Sequence, residues 1–157
     1  MDLREWNERI VAEFRAHGGH VRWSDDDDLA AGRPIPPVLP GFAEADGAPV
    51  ILVHHVGART GTARITPLMY LPVGDDFAIF ATYGGSPKHP AWFHNLTAHP
   101  RTTVETKGGV VPVTARVTEG PERARIWSAQ VARMPAFESF QDTTERVIPV
   151  VLLERRA

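Results

Sequence analysis

The chain has 157 residues, of which 43% are hydrophobic and 23% charged, and a formal net charge of −2 at pH 7. This composition is typical of one folded domain and argues against a disordered chain or a nucleic-acid-binding one. The sequence contains no cysteine, which excludes disulfides, thiolate zinc sites, iron–sulfur clusters and cysteine nucleophiles. Residues 54–107 carry five basic and three acidic side chains, a balance that suits a small anionic ligand.

The N-terminal segment has apolar residues at helical spacing. They are Leu3, Trp6, Ile10, Val11 and Phe14, with arginines and glutamates between them. The pattern predicts an amphipathic helix that ends at Gly18 and Gly19. Such a helix packs on the body of a protein or lies on a membrane surface. Charges of both signs on its polar face favour packing, while peripheral membrane contact stays open.

Residues 24–49 contain the acidic run 25–28 and five prolines. This composition predicts an extended linker or wrapping loop. Calcium binding by the acidic run is disfavoured, because the spaced ligands and the glycine of an EF-hand loop are missing. We therefore divide the chain into a helix and linker, residues 1–48, and a folded domain, residues 49–157.

The remainder of the chain has mainly strand patterns. Strands are predicted at residues 50–56, 64–71, 77–82, 101–106, 110–118 and 147–154. Helices are predicted at 89–98 and 121–134, followed by a short helix or loop at 135–145. Most connections are too short for parallel crossovers, which disfavours a doubly wound sheet. We expect a mainly β fold with helices (α+β), built as a closed or split barrel of about six antiparallel strands.

The connection at residues 57–64 has two glycines, two hydroxyls and two arginines in eight residues. Glycines let a backbone approach a ligand closely, and exposed N–H groups beside arginine can hold phosphate or carboxylate. The segment matches neither a Walker loop nor the dinucleotide fingerprint. An anion site and an ordinary charged hairpin both remain open here.

Residues 82–93 form a second segment of interest, because a Gly-Gly loop leads into a helix N-terminus. Such a start can hold an anion or the polar edge of a ring. Trp92 and Phe93 could cover a ring system, or one of them could belong to the core.

The histidines do not predict a metal site. His54 and His55 are adjacent in a strand and face opposite sides, so they cannot bind one metal together. The other candidates, at positions 89, 94 and 99, are spread around a helix axis rather than paired at i and i+4. No serine lies in a nucleophile-elbow motif, so residue patterns alone do not identify the reaction.

Three segments resemble the deazaflavin-dependent nitroreductase family, which includes quinone reductases. They are residues 57–71 (GARTGTARITPLMYL), 84–96 (GGSPKHPAWFHNL) and 148–154 (IPVVLLE). The resemblance implies a split β-barrel of the flavin-reductase type. It also implies coenzyme F-420, an 8-hydroxy-5-deazaflavin with a polyglutamate tail, as cofactor. The implied protein is a cytoplasmic or membrane-peripheral reductase, monomeric or homodimeric, that acts on quinones, nitro compounds or activated alkenes.

The resemblance also implies roles for individual residues. Arg59 and Arg64, with Lys88 nearby, would hold the anionic tail. The other implied cofactor-binding positions are Ala58, Thr60, Gly61, Thr62, Ala63, Phe80, Ala81, Thr82, Tyr83, Gly84, Ala91, Trp92, Phe93, His94 and Asn95. The hydroxyl of Thr82 or Tyr83 would hydrogen-bond the acceptor. No covalent catalyst is required, because the cofactor itself carries the hydride.

Met134, Phe137 and Phe140 would form the wall of the substrate pocket, where relatives commonly have tyrosines. Relatives also often carry basic residues where this chain has Ala58 and Tyr83. A wall without hydroxyls contains no proton donor. It keeps a second hypothesis open, that of a non-catalytic binder or carrier of F-420, haem or a flavin-like ligand.

Overall fold

The computed structural model describes residues 3–21 and 50–157. The helices are α1 (Leu3–Ala16), α2 (Ala91–Ala98), α3 (Gly120–Arg133) and α4 (Ala136–Asp142), and a single 3-10 turn spans Tyr83–Gly85. The strands are β1 (Val50–Val56), β2 (Ala63–Met69), β3 (Leu71–Val73), β4 (Asp76–Phe80), β5 (Arg101–Thr106), β6 (Gly109–Val117) and β7 (Val150–Arg155). The predicted linker, its acidic run and the boundary at residues 48 and 49 lie outside the described residues.

The seven strands form one antiparallel sheet in the order β2-β1-β5-β6-β7-β4-β3. The central hairpin pairs Val50 with Met69 and His55 with Arg64. Strand β2 also approaches β4, so the sheet curls into a half-barrel. The prediction of an antiparallel split barrel is confirmed.

The sheet has one strand more than the sequence predicted. The expected strand at residues 64–71 divides at Tyr70, after which Leu71–Val73 pairs with β4 instead of β1. The two-residue turn at Gly74 and Asp75 connects β3 to β4 and allows them to pair, and Gly74 has a φ of 60°. A three-residue strand that continues an apolar run directly carries no separate sequence signal, which explains the difference.

Both faces of the sheet are buried. Val50 and Leu52 of β1 contact one apolar cluster, whereas the alternating Ile51 and Val53 contact another. Strand β7 alternates in the same way. Because successive side chains of a strand point to opposite faces, burial on both sides explains why β1 and β7 each begin with four consecutive apolar residues.

Helix α1 packs on the first of these clusters through Trp6, Ile10 and Phe14, all of them buried. At its C-terminal end Arg15 donates two hydrogen bonds to the Glu105 carboxylate, at 3.1 and 2.8 Å. The predicted packing of this helix is confirmed. Within residues 3–21 and 50–157, no helix is both long and apolar enough to cross a membrane.

Candidate active site

A cavity of about 1010 Å³ opens where the turn after β1, the start of β2, the end of β4 and the start of α2 meet. This volume lies at the upper end of the range that ligand and cofactor pockets occupy, roughly 300–1,000 Å³. The lining residues are Trp6, Asn7, His55, Gly57, Ala58, Arg59, Thr60, Arg64, Thr66, Pro67, Leu68, Phe80, Thr82, Tyr83, Pro90, Ala91, Trp92, His94 and Asn95.

The turn between β1 and β2 has a shape that its glycines determine. The Gly57 N–H donates to the Thr62 carbonyl and the Gly61 N–H donates to the Gly57 carbonyl, both at 2.9 Å. Gly61 has a φ of 70°, and a Cβ on Gly57 would lie 2.5 Å from Thr60 Oγ1. Only glycine fits these two positions without rearrangement, and the turn brings Arg59 to the cavity wall.

A partly buried polar network joins this turn to α2. The Ala58 N–H donates to Asn95 Oδ1 at 2.9 Å, and Asn95 Nδ2 lies 2.9 Å from His55 Nδ1. On the other side of the imidazole ring, His55 Nε2 lies 2.8 Å from Thr66 Oγ1. Since a backbone N–H can only donate, the amide nitrogen of Asn95 faces the imidazole and donates to Nδ1. His55 is therefore neutral, with its proton on Nε2, and donates to Thr66.

Burial lowers the pKa of His55 from 6.5 to about 4, and the positive charge of Arg64 adds to the effect. The side chain is 5% exposed, so the charged form would lose its hydration. The lowered pKa agrees with the neutral ring that the hydrogen bonds require.

We expect the free energy of unfolding to fall as the pH drops from 6.5 towards about 4, because the unfolded chain then takes up a proton at His55 that the folded protein does not. His55→Gln should remove this part of the pH dependence. Urea unfolding at pH 7 and pH 5 measures it, with the exposed His99→Gln as control. Equal pH dependence in the wild type and His55→Gln would contradict the assignment.

One part of the cavity wall is apolar. Phe80 and Trp92 are buried and contribute aromatic surface, and Pro67 and Leu68 of β2 also line the cavity. Trp6 of α1 also lines the cavity. A wall of this kind can cover a flat ring and exclude water from it.

Another part of the wall is cationic. Arg59 and Arg64 line the cavity and are exposed to solvent, as is Thr60 between them in sequence. Ala91, the first residue of α2, also lines it, so the N-terminal N–H groups of that helix lie nearby. Arginines together with a helix N-terminus attract phosphate and carboxylate.

The structure brings most of the predicted cofactor-binding residues together. Those that line the cavity are Ala58, Arg59, Thr60, Arg64, Phe80, Thr82, Tyr83, Ala91, Trp92, His94 and Asn95. Among described residues, the lining does not include Gly61, Thr62, Ala63, Ala81, Lys88 or Phe93. Ala63 instead lines a neighbouring cavity of about 930 Å³, which shares Asn7, His55, Arg64 and Thr66 with the first. Gly84 lies within the 3-10 turn.

The predicted substrate-pocket wall lies behind the cavity rather than in it. Met134 and Phe137 are buried in the apolar core, and the Phe137 ring meets the Phe80 ring edge-on at 5.4 Å. Phe140 packs against Phe137 in turn, at 5.4 Å between ring centroids. In the described part of the chain, neither cavity is lined by these three side chains. Their role towards an acceptor stays a prediction.

Sequence reasoning missed several residues of the site, including three residues of β2, Thr66, Pro67 and Leu68, that line the cavity. Trp6 and Asn7 of α1 line the cavity, although more than fifty residues separate them from Thr66. His55 was considered only as a metal ligand, whereas it braces the turn. Its sole sequence signal is a polar ring within an apolar strand; no groups of metal ligands occur among the described residues.

The curled antiparallel sheet, the cationic turn and the aromatic wall define a split-barrel protein with a site for a flavin-like cofactor. The family model "F420H(2)-dependent quinone reductase" matches residues 41–155. A quinone reductase of that name from Mycobacterium tuberculosis is 34% identical over 161 residues, which cover 99% of this chain and 100% of the relative. The chain belongs to this family.

Two solved structures agree with this assignment. An F420-H2 dependent reductase is 38% identical, with a TM-score of 0.62, over 68% of this chain and 94% of that one. A structure described as a domain-swapped dimer is also 38% identical, with a TM-score of 0.63, over 68% and 80% of the two chains. The protein is thus an oxidoreductase whose cofactor is coenzyme F-420.

The residues of the cavity fit this cofactor. Its flat ring requires an apolar wall, for which Phe80 and Trp92 are the candidates, and its anionic tail requires cations, for which Arg59 and Arg64 are the candidates. Both sets of side chains lie in the lining of one cavity, so a single ligand can contact them together.

Proposed function

We propose that this protein transfers hydride from reduced coenzyme F-420 to a small electron-poor acceptor, with a quinone as the preferred class. The observation that carries the proposal is one cavity that combines an aromatic wall with two arginines. The family name supports the acceptor class.

Binding is assigned to the turn and to α2. Arg59 and Arg64 would neutralise the phosphate and carboxylates of the tail, and the N-terminal end of α2 would add favourable backbone dipoles. Because the two arginines are exposed before binding, they also attract the anionic cofactor from solution.

We assign the orientation of the cofactor ring to the apolar wall, and that of the acceptor to the hydroxyls of Thr82 and Tyr83. When bound, the deazaflavin supplies two electrons as a hydride. Phe80 and Trp92 would hold its ring and exclude water, and the hydroxyls of Thr82 and Tyr83, which line the same cavity, would stabilise negative charge on an acceptor oxygen. Hydride transfer requires such close positioning of donor and acceptor.

A quinone suits this site because its reduction needs no protein acid in the apolar wall. The side chains of that apolar wall, Phe80, Trp92, Pro67 and Leu68, have no titratable group. Tyr83 is 50% exposed, so solvent reaches the hydroxyl side of the cavity and can protonate a reduced quinone there.

The test is a panel of a benzoquinone, a nitroimidazole and an enone with reduced cofactor, followed through the return of oxidised-cofactor absorbance. We expect turnover of the quinone at a rate above that of the other two. Thr82→Val should lower the rate, with the exposed Thr97→Val as matched control. Tight cofactor binding without turnover of any acceptor would contradict the proposal and support a carrier.

A further inference from the structure

We infer that Arg146 is a positioning residue, which holds the rim loop, residues 82–89, in the shape that hydride transfer requires. The inference rests on the proposed function, because the rim loop contributes Thr82 and Tyr83 to the cavity. Arg146 itself lies in the segment before β7 and is not among the cavity-lining residues that the structure describes.

One guanidinium group contacts both ends and the middle of the loop. Arg146 Nη2 donates to the Thr82 carbonyl at 2.8 Å, and Nε donates to the Ser86 carbonyl at 2.8 Å. Nη1 lies 3.0 Å from His89 Nδ1, which must accept because a guanidinium can only donate. The three acceptors span the whole loop, from the residue after Ala81 to the residue before Pro90.

The backbone of the loop needs such support. Tyr83 has a φ of 44°, a conformation that costs an aromatic residue on the order of 1–2 kcal/mol. The loop's own bonds are short-range ones, from the Gly85 N–H to Thr82 and from the Ser86 N–H to Tyr83. Arg146 adds contacts from a segment about sixty residues away.

The same segment holds the loop at a further point. The Thr143 hydroxyl donates to the Gly85 carbonyl at 3.4 Å, and it lies so close to Gly85, whose φ is 81°, that a Cβ there would clash with it. Gln141 fixes the backbone of Arg146, since its Nε2 donates to the Arg146 carbonyl at 2.7 Å and its Oε1 accepts from the Ile148 N–H at 2.9 Å. Arg146 is thereby held at both its backbone and its side chain.

The three hydrogen bonds from residue 146 to the rim loop require an arginine. A planar guanidinium directs its N–H groups towards several acceptors at once, whereas a lysine ammonium acts as one compact charge. Arg146 is half-buried, and burial lowers its pKa without any anionic partner being involved. Its partners are two carbonyls and a neutral ring, so its role is geometric rather than the neutralisation of a charge.

The experiment compares Arg146→Lys with Arg123→Lys, both studied in the full chain. Arg123 is a matched control because it is half-buried and donates to the Ile148 carbonyl at 2.7 Å, next to the same segment, without touching the rim loop. Two readouts are needed: hydrogen exchange at the Gly85 and Ser86 amides without cofactor, and the single-turnover rate of hydride transfer to the quinone.

For Arg146→Lys we expect faster exchange at Gly85 and Ser86 and a hydride-transfer rate lower by about tenfold, because small misplacements are costly at the reacting atoms. The cofactor Kd should change by less than about threefold, since the tail is held by Arg59 and Arg64. Arg123→Lys should leave all three quantities unchanged. His89→Leu, which removes one acceptor and keeps Arg146, should give a smaller change in the same direction.

Unchanged hydrogen exchange at Gly85 and Ser86 in Arg146→Lys would show that Arg146 does not hold the rim loop. Faster exchange with an unchanged rate would also overturn the inference, because it would show a structural role only. If wild-type protein transfers no hydride to any acceptor, the proposed function fails, and the exchange measurement still decides whether Arg146 holds the loop.

Discussion

Replacing Arg59 and Arg64 together by alanine is expected to weaken the binding of coenzyme F-420 on the order of a hundredfold. Each arginine can make a charged hydrogen bond to the anionic tail, and such bonds contribute about 1.5–3 kcal/mol each. Both side chains are exposed before binding, so the lower end applies, and about 3 kcal/mol in total corresponds to roughly two powers of ten in Kd. Cofactor fluorescence measures the Kd directly.

The matched control removes the same charge elsewhere. Arg125 and Arg133 are exposed on α3 and are absent from the cavity lining among the described residues. The double variant Arg125→Ala and Arg133→Ala should change the Kd by less than about threefold in physiological salt, because distant exposed charges are screened. An equal loss of cofactor affinity in both double variants would show that the net charge of the protein, and not the turn, governs binding.

Asn95→Ala should destabilise the fold strongly although it removes no apolar surface from the core. Asn95 is 6% exposed and satisfies both the Ala58 N–H and His55 Nδ1, so its removal leaves two groups without their partner. An unsatisfied buried group costs about 1–3 kcal/mol, and we expect a loss of about 2–4 kcal/mol in the free energy of unfolding. Urea unfolding at pH 7 measures this loss.

A second variant tests the proton assignment in the same network. Asn95→Asp keeps the shape but turns a carboxylate oxygen towards Nδ1, which favours a protonated His55 and should raise its pKa.

Thr97→Ala, at an exposed position of the same helix, is the control for Asn95→Ala and should cost less than about 0.5 kcal/mol. If Asn95→Ala loses no more free energy of unfolding than Thr97→Ala does, the role of Asn95 in holding the turn is contradicted.

The sequence predicted those parts of the fold and site that depend on local signals. The turn at residues 57–62 is set by two glycines, and the start of α2 by Pro90, so the positions of Arg59 and Ala91 followed from nearby residues. The two-sided burial of β1 was visible as an apolar run.

The rest depends on contacts between distant segments. His55 and Asn95 are forty residues apart, and neither residue type alone indicates that the two side chains meet. The positive φ of Tyr83 has no signal in its own side chain, because tyrosine rarely adopts it. Phe137 could have lined a pocket or filled the core, and only the packing of α4 on Phe80 places it in the core.

The double position of Trp6, buried in the core and present in the cavity wall, links two equilibria. A molecule that touches this indole binds more tightly while the first helix is docked, so cofactor occupancy and helix docking reinforce each other by equal factors. Anything that detaches the helix therefore lowers the affinity for the cofactor.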